Sequence, residues 1–378
     1  MRLFGRLYTP FDRGLAVVSI HDGVIEGIET VAEKPADAIG SASSSIWPGL
    51  IDIQMNGAFG HDFSNPASNP SLACRGLPQY GVTAFQPVII TSPQAVYEGA
   101  LGNLKVQHQP GWARILGVHV EGPYLAPKRV GAHNPDVRRD PRVEEVTEWL
   151  EWGNVRLVTL APELPGAEQV IPYLVKRGVV VSMGHSDATY EEARRGVDLG
   201  ATLVTHLFNA MRPFGHRDPG IMGYALASHV TASVIADGVH SDLGALRLAV
   251  RAKAPNELIV TTDAISGLGM PVGSYSIADR EFFTDGVVGR LVDGTLSGSV
   301  LPLHRAMKNL LEAGATAEQA VQAATLNPAR LLGLEGSMGQ IRVGRAADVV
   351  LVDVEWEVEA CLVGGVIGYA REGLAATA

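Results

Sequence analysis

The sequence predicts an α/β protein in which a (β/α)8 TIM-like barrel is accompanied by a small β domain that both termini form. Between about residues 46 and 265, eight short apolar runs rich in β-branched residues alternate with loops and stretches of helical period. The two ends lack this alternation and contain short strand-like runs instead. We therefore predict a barrel over residues 46–336 and a β domain made from residues 1–45 and 337–378.

Each predicted barrel strand ends in polar or ionisable residues. The eight strands are SIWPGLIDIQ from Ser45, GVTAFQPVII from Gly81, RILGVHVEG from Arg114, VRLVTLAPE from Val155, GVVVSMGHS from Gly178, ATLVTHLFN from Ala201, TASVIADGVH from Thr231 and ELIVTTDA from Glu257. Between them, amphipathic helices are predicted at VEEVTEWLEW from Val143, GAEQVIPYLVKRG from Gly166, TYEEARRGVDLG from Thr189 and SDLGALRLAVRA from Ser241. The alternative fold is an open doubly wound sheet, which would normally carry a GxGxxG loop after its first strand, and none occurs there.

The predicted β domain depends on short alternating runs at both ends of the chain. LAVVSI and GVIEGIE, separated by an Asp-Gly turn, lie near the start, and GQIRVGRAADVVLVD and VEACLVGGVIGYA lie near the end. Helices at LPLHRAMKNLLEAG and TAEQAVQAATLNPARLLG would connect the barrel to the closing strands.

Composition and charge narrow the possible partners. The formal net charge of −10 argues against nucleic-acid binding, because phosphate contacts need clustered lysine and arginine, and an anionic ligand would need a local cationic pocket. The only cysteines are Cys74 and Cys361, so a disulfide framework or a cysteine zinc site is not expected, and a reducing cytoplasm fits. No run resembles a signal peptide or reaches membrane length, so we expect a soluble cytoplasmic protein without a membrane partner.

The polar residues that close the predicted strands form the candidate site, because a barrel gathers the C-terminal ends of its strands on one face. They are Gln54, Glu121, His185, His206, His240 and Asp263. Two imidazoles and one carboxylate from separate strands can hold a catalytic Zn²⁺ and leave a position open for water or substrate. We predict that Glu121, His185 and His206 are ligands of one divalent metal ion; the alternative is that each histidine is a satisfied interior residue.

Two further residues are candidates for catalysis. Asp263, at the end of the eighth strand, would reach the attacking water and could act as a general base and later return the proton to a leaving amine. His133, in the RVGAHN loop after the third strand, could donate a hydrogen bond to the substrate carbonyl. A capping role for Asp263 and a solvated position for His133 are the structural alternatives.

A series of short motifs extends over nearly the whole chain: PGLIDIQMNG at 48–57, GVHVEGPYL at 117–125, GAHNP at 131–135, TLAPE at 159–163, GHSDAT at 184–189, THLFNAM at 205–211, DGVH at 237–240, TTDA at 261–264 and GTLSGS at 294–299. In order and spacing, these motifs resemble the N-acetylglucosamine-6-phosphate deacetylase family of the amidohydrolase superfamily. The resemblance covers nearly the whole chain. It implies a metal-bearing barrel of the amidohydrolase type and a small β-sandwich domain. It also implies hydrolysis of the acetamide of N-acetyl-D-glucosamine 6-phosphate to D-glucosamine 6-phosphate and acetate, in amino-sugar catabolism and recycling.

Position by position, the resemblance implies the same metal ligands and catalytic residues and adds contacts to the substrate. These contacts are Ala132, His133, Asn209, Ala210, Arg217, His240, Leu296, Ser297 and Gly298. Arg217 lies in HRDPG, a position that in the resembled family helps to bind the phosphate and can come from the neighbouring subunit, so the resemblance implies a functional homodimer. A surface ion pair with Asp218 is the alternative role for Arg217.

The end of the first strand departs from the wider superfamily, in which many members carry His-x-His there and bridge two metal ions. This chain has Gln54 and Asn56 at the corresponding positions of that second metal site. Carboxamides are poor zinc ligands, so we expect the second site to be lost and a single ion to remain. Zn²⁺ suits the remaining ligands best, although Fe²⁺, Co²⁺ or Mn²⁺ could occupy them.

Two other functions compete with this prediction. The chain could be another amidohydrolase that acts on a related N-acyl or cyclic amide, but the missing His-x-His and the Asn-Ala-Met and HRDPG segments weigh against it. It could also be a catalytically inactive scaffold, but it keeps all three predicted ligands and the strand-eight aspartate.

Overall fold

The computed structural model describes residues 1–374, and its centre is a nearly closed barrel of eight parallel strands. In chain order these barrel strands, here numbered one to eight, are Leu50–Met55, Val82–Ile90, Val118–Glu121, Val155–Leu160, Val180–Met183, Leu203–Val204, Thr231–Ile235 and Leu258–Thr261. Each strand pairs with the next, and a parallel bridge between Met55 and Ala264 joins the first strand to the end of the eighth. All eight predicted strands are present, and the predicted fold class is confirmed.

A helix follows each barrel strand before the next strand begins, and three helices come after strand eight. Their bounds are Pro70–Gly76, Gln94–Asn103, Val143–Trp152, Ala167–Val175, Tyr190–Asp198, Gly220–Ala227, Leu243–Ala252, Leu303–Glu312, Ala317–Ala323 and Leu326–Leu331, with short 3-10 turns at Leu77–Tyr80 and Pro135–Val137. The helix predicted over TAEQAVQAATLNPARLLG is divided in two. In a continuous helix, the ring of Pro328 would clash with the carbonyl group of Ala324, so the chain breaks at Thr325 before the second helix begins.

Strands from both termini form one seven-stranded sheet beside the barrel. Its strands are Arg2–Tyr8, Asp12–His21, Val24–Thr30 and Ile39–Pro48 from the N-terminal end and Val349–Val352, Val358–Val363 and Val366–Ala370 from the C-terminal end. Val349–Val352 pairs antiparallel with Ile39–Pro48, which joins the two ends of the chain. The predicted Asp-Gly turn has positive φ at both Asp22 (48°) and Gly23 (78°), as a tight hairpin requires. The domain boundary at residue 45 falls inside Ile39–Pro48 and stays a prediction.

An antiparallel sheet that the sequence analysis does not predict follows barrel strand eight. Its four strands are Gly273–Ile277, Arg280–Thr284, Val288–Leu291 and Leu296–Ser299. A bridge between Ala264 and Ser299 fixes the last of these strands beside the end of barrel strand eight. The insertion therefore lies at the mouth of the barrel; we call it the mouth sheet.

Apolar side chains fill the N-terminal half of the barrel interior. A cluster that includes Ile51, Ile53, Ala84, Leu157 and Ile259 is essentially inaccessible to solvent. Polar residues therefore concentrate at the opposite, C-terminal end, where the strands open towards the mouth sheet. Both cysteines are buried and free. Within residues 1–374, no helix combines the length and apolar character needed to cross a membrane.

Candidate active site and metal centre

Three buried side chains from different barrel strands converge at the C-terminal end of the barrel. Glu121 is the last residue of strand three, and His185 and His206 lie two residues beyond strands five and six. Glu121 Oε1 is 3.2 Å from His185 Nε2 and 3.0 Å from His206 Nε2, and the two Nε2 atoms are 3.1 Å apart. The ligand-type atoms of all three residues lie within 4.8 Å of one another, close enough to hold one metal ion.

The hydrogen bonds around the cluster suit a metal site. His185 Nδ1 is 2.8 Å from the carbonyl oxygen of Arg129, which can only accept, so Nδ1 carries a proton. Nε2 is then the nitrogen that can offer a lone pair to an ion or, when it is protonated as well, donate to Glu121. Burial alone would raise the pKa of Glu121, but hydrogen bonds with His185 and His206 outweigh burial and hold that pKa well below its ordinary value. An ionised carboxylate and two imidazole nitrogens so close together match the ligand preferences of a divalent transition metal.

Asp263 lies beside this cluster and is held by two carboxamides at the end of strand one, those of Gln54 and Asn56. Gln54 Nε2 donates to Asp263 Oδ1 at 3.2 Å and to Glu121 Oε1 at 3.0 Å, and Asn56 Nδ2 donates to Asp263 Oδ1 at 2.7 Å. Burial raises the pKa of Asp263, and the negative charge of Glu121 raises it further. The positions that could have carried second-metal ligands instead orient the candidate base.

His133 reaches the site from the loop after strand three, and Thr91 fixes its tautomer. The Thr91 backbone N–H donates to His133 Nδ1 at 3.3 Å, and the Thr91 hydroxyl is 2.8 Å from the same atom. Because a backbone N–H can only donate, Nδ1 is an acceptor and the ring proton lies on Nε2. Burial lowers the pKa of His133 to about 3, and the neighbouring His185 lowers it too, so the ring is neutral.

The backbone at three of these residues has positive φ, which is uncommon for residues other than glycine. The angles are 48° at His185, 35° at His206 and 50° at Asp263. Such left-handed conformations cost about 1–3 kcal/mol each and persist where the surrounding structure fixes them, often at functional sites. These positive φ angles fall on two candidate metal ligands and on the candidate base. They are thus a backbone observation, independent of the side-chain contacts, that points to the same residues.

These residues surround a cavity of about 240 Å³ at the mouth of the barrel. Its walls are formed by Asn56, Ile90, Glu121, Gly131, Ala132, His133, His185, His206, Asn209, Ala210, Ile235, His240, Asp263, Ile277, Thr295, Leu296, Ser297 and Gly298. Nearly all of the predicted site residues therefore share one cavity. Gln54 lies just behind the wall, bonded to Glu121 and Asp263.

Arg217 is the one predicted substrate contact that does not line this cavity. Its side chain is exposed on the loop after strand six, and it does not line the cavity of its own chain. Asp218, its alternative partner, instead forms an ion pair with Arg212 at 2.5 Å. No lysine or arginine lines the cavity within residues 1–374.

Sequence reasoning missed the residues that hold the site residues in place. Thr91 orients His133, Arg129 supplies the carbonyl oxygen behind His185, and Asp237 contacts His240. Thr91 and Asp237 follow strands two and seven closely, so the strand-end rule could have drawn attention to them. The Arg129 contribution is a backbone atom, which side-chain patterns cannot reveal. The mouth-sheet residues Ile277 and Thr295 also line the cavity and were not predicted.

Comparisons with known proteins agree with this geometry. A model of the amidohydrolase family matches residues 45–368, and the chain belongs to that family. Within it, the chain belongs with the N-acetylglucosamine-6-phosphate deacetylases. The enzymes of this name from Bos taurus and Homo sapiens are each 41% identical to it over 335 residues, which cover 84% of this chain and 82% of the relative. The structure of a mutant Mycobacterium smegmatis N-acetyl-D-glucosamine-6-phosphate deacetylase in complex with N-acetyl-D-glucosamine-6-phosphate superposes with a TM-score of 0.91, at 29% identity and with 98% of this chain and 99% of that chain covered.

Proposed function

We propose that this protein is an amide hydrolase that converts N-acetyl-D-glucosamine 6-phosphate to D-glucosamine 6-phosphate and acetate. The observation that carries the proposal is one cavity that joins the Glu121, His185 and His206 cluster to Asp263 and His133. Family membership and the named relatives support the reaction class and the substrate. Amino-sugar catabolism or recycling is the corresponding role.

The proposed mechanism assigns each step to a side chain already positioned. A divalent ion held by Glu121, His185 and His206 would supply Lewis acidity at the acetyl carbonyl and acidify the attacking water. His133 donates its Nε2–H to the carbonyl oxygen as negative charge develops there. The Gln54 and Asn56 carboxamides both donate to Asp263 Oδ1, so Oδ2 remains to accept the proton from water and to return it to the sugar nitrogen as acetate leaves.

The proposal includes one metal ion per chain, with Zn²⁺ as the best match to two imidazoles and one carboxylate. Fe²⁺, Co²⁺ and Mn²⁺ can use the same ligands, and the Irving–Williams order does not select among them without knowledge of metal supply. Gln54 and Asn56 support a single ion because both carboxamides direct their NH₂ groups towards carboxylates.

The phosphate is proposed to lie at the mouth of the cavity, where His240 and Arg217 would bind it. Because Arg217 of a given chain is outside its own cavity, a homodimer in which the partner subunit supplies this guanidinium is part of the proposal. The remaining predicted contacts line the cavity and would bind the sugar; they are Ala132, Asn209, Ala210, Leu296, Ser297 and Gly298. A cytoplasmic location, consistent with two free cysteines, completes the proposal.

The direct test is acetate release from N-acetylglucosamine 6-phosphate by the purified protein, before chelation, after chelation, and after readdition of defined metals. N-acetylglucosamine without phosphate and N-acetylgalactosamine 6-phosphate serve as comparison substrates. We expect chelation to abolish activity, one metal to restore it, and the unphosphorylated sugar to be a poor substrate. Preference for a cyclic amide or an N-acyl amino acid would favour the alternative amidohydrolase function.

Subunit mixing tests whether Arg217 acts across the dimer. Arg217→Gln and Asp263→Asn chains, each impaired alone, would form mixed dimers that contain one intact site only if the partner subunit supplies the arginine. Recovered activity after co-refolding or co-expression is the expected result. If Arg217 serves its own chain, every site in the mixed dimer carries a defect and no activity returns.

A further inference from the structure

Asp237 and His240 form a buried pair just beyond barrel strand seven. His240 lines the cavity, yet only 6% of its side chain is exposed, and only 1% of the Asp237 side chain is. Asp237 Oδ2 is 2.6 Å from His240 Nδ1, and Asp237 Oδ1 accepts the backbone N–H groups of Val239 at 2.9 Å and His240 at 2.7 Å. One carboxylate therefore fixes both the loop and the ring.

The hydrogen bond between Asp237 and His240 determines which ring nitrogen of His240 must carry a proton and which one is left for a ligand in the cavity. A carboxylate at neutral pH only accepts hydrogen bonds, so Nδ1 of His240 must carry a proton. Nε2 is then the ring atom left for a ligand. A phosphate oxygen also only accepts, so it can bond to Nε2 only if that nitrogen is protonated as well. Such a ring would carry a positive charge, and its hydrogen bond to the Asp237 carboxylate would join opposite charges, which is the stronger kind of hydrogen bond.

Charge within the cavity supports the same conclusion. No lysine or arginine lines the cavity walls in the described chain, and Glu121 and Asp263 both contribute negative charge there. A divalent ion held at Glu121 would offset this negative charge at the metal end, and Arg217 of the partner subunit is proposed to approach the phosphate. Within one chain, the histidines are therefore the cavity side chains that can carry positive charge near the phosphate. His185 and His206 are the proposed metal ligands. His240 is the cavity histidine outside that cluster that has a buried carboxylate, Asp237, behind it.

We propose that Asp237 is a positioning residue that holds His240 as the cationic donor for the substrate phosphate. The inference rests on the proposed function, because it assumes a phosphorylated substrate. It assigns to Asp237 a role in substrate binding, separate from the acid-base role of Asp263. A purely structural role, in which Asp237 only accepts the two backbone N–H groups of its loop, makes different predictions.

Asp237→Asn separates the two roles because it is isosteric. An asparagine oxygen can still accept the two backbone N–H groups, while its NH₂ group faces His240 Nδ1, moves the ring proton to Nε2 and removes the positive charge. We expect KM for N-acetylglucosamine 6-phosphate to rise on the order of tenfold with kcat and metal content little changed. Turnover of unphosphorylated N-acetylglucosamine should not change. Asp242→Asn, at the exposed cap of the next helix, is the matched control and should leave both substrates unaffected.

A double-mutant cycle shows whether Asp237 acts through His240. In a His240→Gln background, Asp237→Asn should raise KM no further, whereas equal effects in both backgrounds would overturn the proposal. So would a fall in kcat at unchanged KM, or an equal loss with the unphosphorylated sugar. Independently, ¹⁵N-histidine NMR with inorganic phosphate should show both ring nitrogens of His240 protonated in the wild type and Nδ1 unprotonated in Asp237→Asn. This measurement remains decisive for the pair even if the wild type fails to release acetate and the proposed function is rejected.

Discussion

Replacing Asp263 by asparagine is the sharpest test of the proposed mechanism, because the surrounding donors determine how the new side chain must lie. Gln54 and Asn56 both point N–H groups at the Oδ1 position, at 3.2 and 2.7 Å. An asparagine would satisfy these donors with its carbonyl oxygen, since its NH₂ group would face other NH₂ groups. Its NH₂ group then occupies the Oδ2 position, where no proton can be accepted.

The size of the effect follows from this orientation. The variant keeps shape, hydrogen bonds and metal ligands but loses proton transfer, a contribution of roughly 10²–10⁴ in rate. We expect kcat for acetate release to fall by about that factor, while metal content by elemental analysis and the thermal unfolding profile stay close to wild type. Asp198→Asn, in an exposed helical ion pair, is the matched control. Near-normal kcat in Asp263→Asn with bound metal would remove Asp263 from the mechanism.

Three further predictions concern the metal, the stability and the pH dependence. Glu121→Gln should purify with little bound metal and regain little activity when metal is added, which elemental analysis and acetate release would check; full metal content would argue against this ligand set. Lys253→Met should lower the free energy of unfolding, measured in urea, by about 1–3 kcal/mol without altering kcat. The buried ammonium group of Lys253 donates to the carbonyl groups of Ala225 and Ser228 at the C-terminal end of the helix Gly220–Ala227, and the variant leaves both groups without this donor. Burial raises the pKa of Asp52 from 3.8 to about 6, so the folded state binds this proton more tightly than the unfolded state does. The free energy of unfolding of the wild type, taken relative to that of Asp52→Asn, should therefore fall by an amount on the order of 3 kcal/mol as pH rises from about 4 to 6, and then level off. If the two proteins instead show the same dependence of this free energy on pH, the raised pKa of Asp52 is contradicted.

The barrel and the centre of the site were predictable because their signals are local. Each barrel strand is a short apolar run with a distinct polar end, and parallel closure requires those ends to meet. The approach of Glu121, His185 and His206 to within hydrogen-bond distance is therefore a consequence of topology that needs no knowledge of side-chain packing. The hairpin at Asp22 and Gly23 was equally local, since few other dipeptides accept two positive φ angles.

The mouth sheet was not predictable for the opposite reason. Exposed and buried positions alternate in Arg280–Thr284, but the apolar Phe283 occupies an exposed position, so the sequence does not show a matching alternation of apolar and polar residues. Val292, in the turn after Val288–Leu291, is also exposed. Its place over the barrel depends on contacts between segments far apart in sequence, such as the bond from Asn134 to Asp279 and those from Arg280 to the backbone oxygens of Ala132 and His133. The hydrophobic periodicity of the sequence does not predict such long-range contacts, although they hold part of the cavity wall in place.

The three site residues with left-handed backbone conformation show most clearly why conformational propensity does not predict the residue types at this site. A propensity argument would place glycine at positions with φ near 50°, yet His185, His206 and Asp263 occupy them. Bonds from neighbouring elements hold each one: the Ala126 N–H donates to the His185 carbonyl group, Ser233 Oγ accepts from the His206 N–H, and the Ser299 N–H donates to the Asp263 carbonyl group. Because these partners come from three different segments, the strain is maintained by the folded barrel as a whole. A glycine at any of these positions would relieve the backbone strain, but it would also remove the side chain that the proposed chemistry requires. The fold therefore explains the backbone conformation at these positions, and the proposed site explains which residue types occupy them.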